Sequence, residues 1–209
     1  MKKTLLILLM LFGITAFSQK QVFAVSDIKE KIARQKIVAI LPFPTTIIYK
    51  KQPKNFSAEA NQAQELKMAK NIQSSMYTFL LRKQERYSVK FQDIDKTNIL
   101  LKKAGIEDNL DSMTKDEIAK ILGVDAVISG KFEQQQSKTE AGAIASAIIF
   151  GGVGGKTGSS TLTLTINDAN DGELLWRFMK TMDDSITYSP DDVVESMMRK
   201  VSRNFPYEK

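Results

Sequence analysis

Eight residues, Lys36–Phe43 (KIVAILPF), constrain the fold of this chain more than any other stretch. Ile37, Val38, Ala39, Ile40 and Leu41 are all apolar, so a strand built from them must be covered on both faces. A strand of that kind belongs at the centre of a sheet with helices packed against it. Pro42 and Pro44 cannot donate to a ladder, so the strand stops there.

The rest of the pattern supplies the other elements. Residues 45–56 read as a loop. Ser57 caps a long helix ending near Arg82, with Leu66, Ala69, Ile72, Met76, Phe79 and Leu80 along one face. Tyr87, Val89 and Phe91 alternate as a strand. Asp95 caps a short helix through Ala104, and Gly105 ends it with Ile106 closing back onto Leu101. Thr114 and Glu117 form a capping box for a helix whose core face is Ile118, Ile121 and Leu122 and whose stop is Gly123. Val124–Phe132 (VDAVISGKF) is the second strongly apolar strand. Leu162, Leu164 and Ile166 alternate with threonines, and Asp171-Gly172 turns the chain into a hairpin partner with Leu174, Trp176 and Phe178 on one face. Ser189, Pro190 and Asp192 begin a last helix with Val194, Met197, Met198, Val201 and Phe205 as its buried stripe. The expected fold is α/β (α+β), a mixed β-sheet flanked by helices in the order β-α-β-α-α-β-β-β-α.

The first residues set the address. Lys2 and Lys3 precede an apolar run from Leu5 to Ile14, and Ala16, Phe17 and Ser18 place small residues before Gln19. This is the pattern of a cleaved secretory signal peptide spanning 1–18. The run is shorter than the ~20 residues that span a bilayer. Residues 19–35 read as a linker or N-terminal helix. Residues 36–206 read as a single α/β domain carrying an apolar insertion at 141–158.

Composition removes whole classes of chemistry. The chain has neither cysteine nor histidine. That excludes Ser-His-Asp and Cys-His catalysis and zinc sites that need imidazole or thiolate. It also excludes a lipid on an N-terminal cysteine. The net charge of +6 includes the two leader lysines. The remaining basic residues are dispersed, without the basic, aromatic-interleaved stretch that nucleic-acid binding would use, so no nucleic-acid partner is expected.

Two motifs fail on inspection. Gly151–Thr157 (GGVGGKT) resembles a phosphate loop, but the first glycine of that motif would fall on Phe150, and a strand pattern follows instead of a helix. No nucleotide and no cofactor are expected. Asp168, Asn170 and Asp171 suggest a calcium loop, but Gly172 stands fifth and Met179 twelfth where Gly sixth and Glu twelfth are required. No metal site and no catalytic residue are assigned.

Ala141–Gly155 (AGAIASAIIFGGVGG) carries no charge in fifteen residues. Three uses compete for it: a long hairpin loop, a patch covered by a partner, or a membrane-surface contact. Ile144, Ile148, Ile149 and Phe150 are the expected partner or membrane contact residues.

Four stretches carry a family resemblance: Lys36–Phe43 (KIVAILPF), Leu100–Ile106 (LLKKAGI), Ile118–Phe132 (IAKILGVDAVISGKF) and Asp168–Trp176 (DANDGELLW). With these the chain resembles exported α/β domains related to the curli-secretion-channel subunit and to the lipoprotein activators of penicillin-binding proteins. The resemblance implies a cell-envelope accessory protein without enzymatic activity, periplasmic, outer-membrane associated or secreted. In the channel relatives, insertions between strands form the membrane-crossing part. The function expected is binding, either to an envelope protein partner or as a homo-oligomer, with a membrane-inserting, secretion-pore-like oligomer as the alternative.

Overall fold

The computed structural model describes residues 20–136, 156–185 and 190–209. Twelve elements are named here in chain order: β1 (Lys20–Ala24), α1 (Ile28–Ala33), β2 (Ile37–Ile40), β3 (Thr45–Tyr49), α2 (Ala58–Leu81), β4 (Lys90–Phe91), α3 (Ile94–Lys103), α4 (Lys115–Leu122), β5 (Ala126–Gln136), β6 (Lys156–Asp168), β7 (Leu174–Ser185) and α5 (Pro190–Val201). They build one mixed sheet in the order β1-β7-β6-β5-β2-β4, with β3 paired to the far half of β5. β2 runs parallel to β4 and β5, while β5, β6, β7 and β1 are antiparallel neighbours. The mixed sheet flanked by helices is the architecture expected from the sequence.

The doubly apolar KIVAILPF strand explains the layering. Val38 and Ile40 face a large core that includes Ile72 and Met76 of α2 and Met197 of α5. Ala39 and Leu41 face the other way, into a second core with Leu101 of α3 and Ile118, Ala119 and Leu122 of α4. All four are buried because helices lie on both sides of β2. Burying the Val38, Ile40 and Leu41 side chains is worth roughly 1.5–3 kcal/mol each, and it anchors the three-layer half of the molecule.

Local signals fix the helix ends. The capping box at Thr114 and Glu117 forms, with the Thr114 N–H donating to Glu117 Oε2 at 2.9 Å, and Gly123 stops the helix at φ +65°. Gly105 at φ +69° ends α3, and the Ile106 N–H closes onto the Leu101 carbonyl at 3.1 Å, as the Schellman pattern requires.

Several expectations need correction. The α3 cap is Asp93, whose Oδ1 accepts from the N–H groups of Asp95 and Lys96, so the helix starts earlier than Asp95 would place it. Thr45–Tyr49, read as loop, is strand β3. Its β-branched run is recruited by the long β5 ladder, a tertiary contact that local sequence does not announce. Residues 20–24, read as linker or helix, form the edge strand β1 on β7. Of the strand expected at Tyr87–Phe91, only Lys90–Phe91 pairs as strand, although Tyr87, Val89 and Phe91 are all buried. Leu66 is not core: it lies at the margin of the α2 stripe and is 58% exposed, while Met68 is buried in its stead. Leu175 is buried beside Trp176 because a register shift at Ile166/Asn167 lets both enter the core.

The C-terminal residues close the large core. Phe205 packs edge-on against Tyr87, Trp176 and Tyr207, with ring centroids 5.7, 5.8 and 5.4 Å apart. Such pairs add ~0.5–1.5 kcal/mol each beyond area burial.

Candidate functional site

The β5–β6 hairpin carries the uncharged insertion, and the sheet determines where it is delivered. β5 and β6 stay paired out to Gln136 opposite Gly158. β3 flanks β5 there, with Tyr49 opposite Gln136 and the Lys50 N–H donating to the Gln136 carbonyl at 2.9 Å. β7 flanks β6, with Ser185 opposite Lys156. Gln136 and Lys156, the described residues on either side of the segment, therefore end the two inner strands of a four-strand sheet edge. Ile144, Ile148, Ile149 and Phe150, the contact residues expected from sequence, lie outside the described residues, as do residues 1–18, where the signal peptide is expected. Gly158 explains one glycine of this region. A Cβ there would stand 2.0 Å from the Gln135 carbonyl oxygen, so only glycine lets the two strands approach.

Lys156 opens strand β6, so no helix N-terminus follows the glycines. Asp168–Asp171 is a tight turn, not a calcium loop. Asp168 Oδ1 accepts from the backbone and side-chain nitrogens of Asn170, and Asp171 Oδ1 accepts from the Glu173 N–H. Among the described residues no group of carboxylates is arranged to hold a metal ion.

A cleft lies at the opposite end of β5, about 35 Å away by strand rise. It encloses about 620 Å³ between α1, the start of β5 and the β6–β7 turn. Sequence reasoning missed it because its residues are scattered: Lys31, Arg34 and Gln35, then Asp125, then Asp168 to Glu173. The turn residues were the only local signal. Its carboxylates are already engaged. Asp125 Oδ2 accepts from the N–H groups of Lys36 and Ile37 at 2.7 and 2.9 Å, tying β5 to the start of β2. Lys31 bridges Asp27 and Glu173. Asp168 also accepts from Gln35 Nε2 at 2.9 Å, and Gln35 in turn accepts from the Tyr207 hydroxyl. Burial first, then the charges of Asp168 and Asp125, push the Tyr207 phenol far up, so it stays a neutral donor. The cleft is therefore the joint where the C-terminus, α1 and two strands are hydrogen-bonded together. It presents no nucleophile with an adjacent base.

Among the described residues no helix is long and apolar enough to cross a membrane. No protein-family model matches the chain, and no curated protein matches it. Among solved structures the chain is similar to lipoprotein GNA1162 from Neisseria meningitidis, with TM-score 0.51 and 11% identity over 81% of this chain and 96% of that one. It is also similar to the PelC dodecamer from Paraburkholderia phytofirmans, with TM-score 0.45 and 15% identity over 91% of this chain and 98% of that one. The LpoB C-terminal domain from Escherichia coli gives TM-score 0.36 and 10% identity over 77% and 96%. The likeness to GNA1162 is a likeness of fold: the mixed sheet with its flanking helices is shared with a lipoprotein.

Proposed function

We propose that this chain is a non-enzymatic, exported cell-envelope accessory module that works by protein–protein or self association, with residues 141–155 as its contact surface. One observation carries the reading: the two paired strands that flank the stretch, β5 and β6, end side by side, and the sequence between them holds fifteen consecutive uncharged residues. A contiguous apolar stretch gains free energy by being covered. Ile144, Ile148, Ile149 and Phe150 are the side chains assigned to that contact. The leader at 1–18 and the fold shared with a lipoprotein support an envelope address. Cleavage after Ser18 leaves Gln19 just ahead of β1.

Affinity purification from envelope fractions tests this, using the full chain and a variant lacking Ala141–Gly155. The full chain is expected to retain an envelope protein or further copies of itself, and the shortened chain to lose them while keeping its circular dichroism spectrum. Equal retention by both would overturn the reading. Binding to protein-free liposomes that the deletion removes would favour the membrane-inserting alternative.

A further inference from the structure

A groove of about 470 Å³ opens where β2 ends, between α2 and the turn joining α3 to α4. Pro42, Pro44, Leu66 and Leu110 line it, and this is where the exposed Leu66 side chain sits. Its charged lining is acidic throughout: Glu65, Glu107, Asp108 and Asp111, with no lysine or arginine. Glu65 is engaged within the fold, accepting from the Ile47 N–H and Asn61 Nδ2. Glu107, Asp108 and Asp111 are exposed and make no ion pair among the described residues. Lys115 and Lys131 line the neighbouring, smaller cleft behind Pro42 and Pro44, and Lys131 is paired with Glu133.

The complement of this groove is on the same molecule. Residues 50–56 (KKQPKNF) join β3 to α2 and contain three lysines and no acid. Lys50, Lys51 and Lys54 are exposed and make no ion pair among the described residues, and the exposed Phe56 ring rests edge-on against Tyr49. β3 starts at the groove with Thr45, and α2 reaches it with Gln62 and Glu65. Five residues of strand or of helix separate loop from groove on either path, a distance of roughly 8–17 Å. Acidic groove and basic loop are therefore near each other along the chain, both on the surface. A surface that carries both halves of a complementary pair can satisfy itself about a two-fold axis.

We infer that a second copy of this chain docks on this surface as an isologous dimer. Lys50, Lys51 and Lys54 of each copy lie over Glu107, Asp108 and Asp111 of the other, with Phe56 turned to the apolar floor. None of these contact residues belongs to 141–155, and salt sensitivity tells the two contacts apart.

Sedimentation velocity on the full chain decides it, with Asp108→Lys/Asp111→Lys as the groove variant and Lys51→Glu/Lys54→Glu as the loop variant. The wild-type chain is expected to dimerise, with a Kd that weakens about tenfold or more between roughly 0.05 M and 0.5 M salt. Each variant alone is expected to lose this salt-sensitive association, because both halves of its two-fold contact repel; association through residues 141–155 would persist in both variants and would not weaken with salt. An equimolar mixture of the two is expected to regain the dimer, which also shows that both variants are folded. A monomeric wild type, variants that dimerise as tightly as wild type, or a mixture that stays monomeric would each overturn the inference. A monomeric wild type that binds a lysine-rich peptide in the groove would assign the site to a basic partner segment instead.

Discussion

Gly130→Ala probes the packing at the middle of the sheet. Gly130 lies in β5 opposite Leu164, and the fully buried Phe43 ring occupies the space its side chain would take. A Cβ added there would stand 2.3 and 2.5 Å from two ring carbons of Phe43 and 2.5 Å from the Thr163 carbonyl oxygen. Carbon atoms in contact sit at about 3.5–4.0 Å, so the ring would have to withdraw by about 1 Å. The ring is held within the large core, and the carbonyl belongs to the paired strand β6. Forced overpacking of this kind costs about 1–3 kcal/mol. Alanine also narrows the unfolded ensemble, which offsets ~0.4–1 kcal/mol. The net expectation is a loss of about 1–2 kcal/mol. Urea unfolding followed by circular dichroism should show a lower midpoint with an unchanged slope. Phe43→Leu removes ring atoms that clash, so the double-mutant cycle should show a compensating coupling of ~0.5 kcal/mol or more. Strict additivity, or a Gly130→Ala midpoint equal to that of wild type, would refute the packing argument.

Three further predictions concern the joint and the helix caps. Tyr207→Phe leaves the buried Gln35 Oε1 without its donor and should cost ~1–3 kcal/mol in the same unfolding assay, while a neutral result would contradict the hydrogen-bonded chain to Asp168. Asp125→Ala strips the acceptor from the Lys36 and Ile37 N–H groups and should cost about 2 kcal/mol, with faster amide exchange at the start of β2 as its local signature. The Asp116 carboxyl, held down first by a hydrogen bond with Thr114 and then by Lys120, should titrate at about 2 in an NMR pH series. Because its folded value lies below its ordinary 3.8, its contribution to stability is present above about pH 4 and is lost as pH falls through 2. Lys120→Met should move that midpoint upward, and a wild-type midpoint near 4 would refute the assignment.

The parts of the fold legible in sequence are those governed by local chemistry. The five-residue apolar run of β2, the Thr114–Glu117 cap and the Gly105 and Gly123 stops each act over a few residues, and each formed where the sequence put it. The parts that were not legible depend on distant partners. β3 becomes a strand because Phe132–Gln136 offers it a ladder, and β1 because β7 does. The charged joint brings together Lys31, Asp125, Asp168 and Tyr207, which no spacing rule relates. Gly130 reads as an ordinary strand residue until Phe43 is seen lying over it. The acidic groove was hidden for the same reason: Leu66 patterns as helix core, and only the course of the turn after α3 leaves it exposed among carboxylates.

Site-specific photo-crosslinking in living cells tests the central claim most directly. A photoreactive residue at position 148 is compared with one in place of Ile99, an exposed isoleucine on α3. The account predicts that position 148 captures an envelope protein or another copy of the chain, from material whose first residue is Gln19, while position 99 captures neither. Equal capture at both positions, or capture of cytosolic proteins by a chain that still begins at Met1, would contradict it.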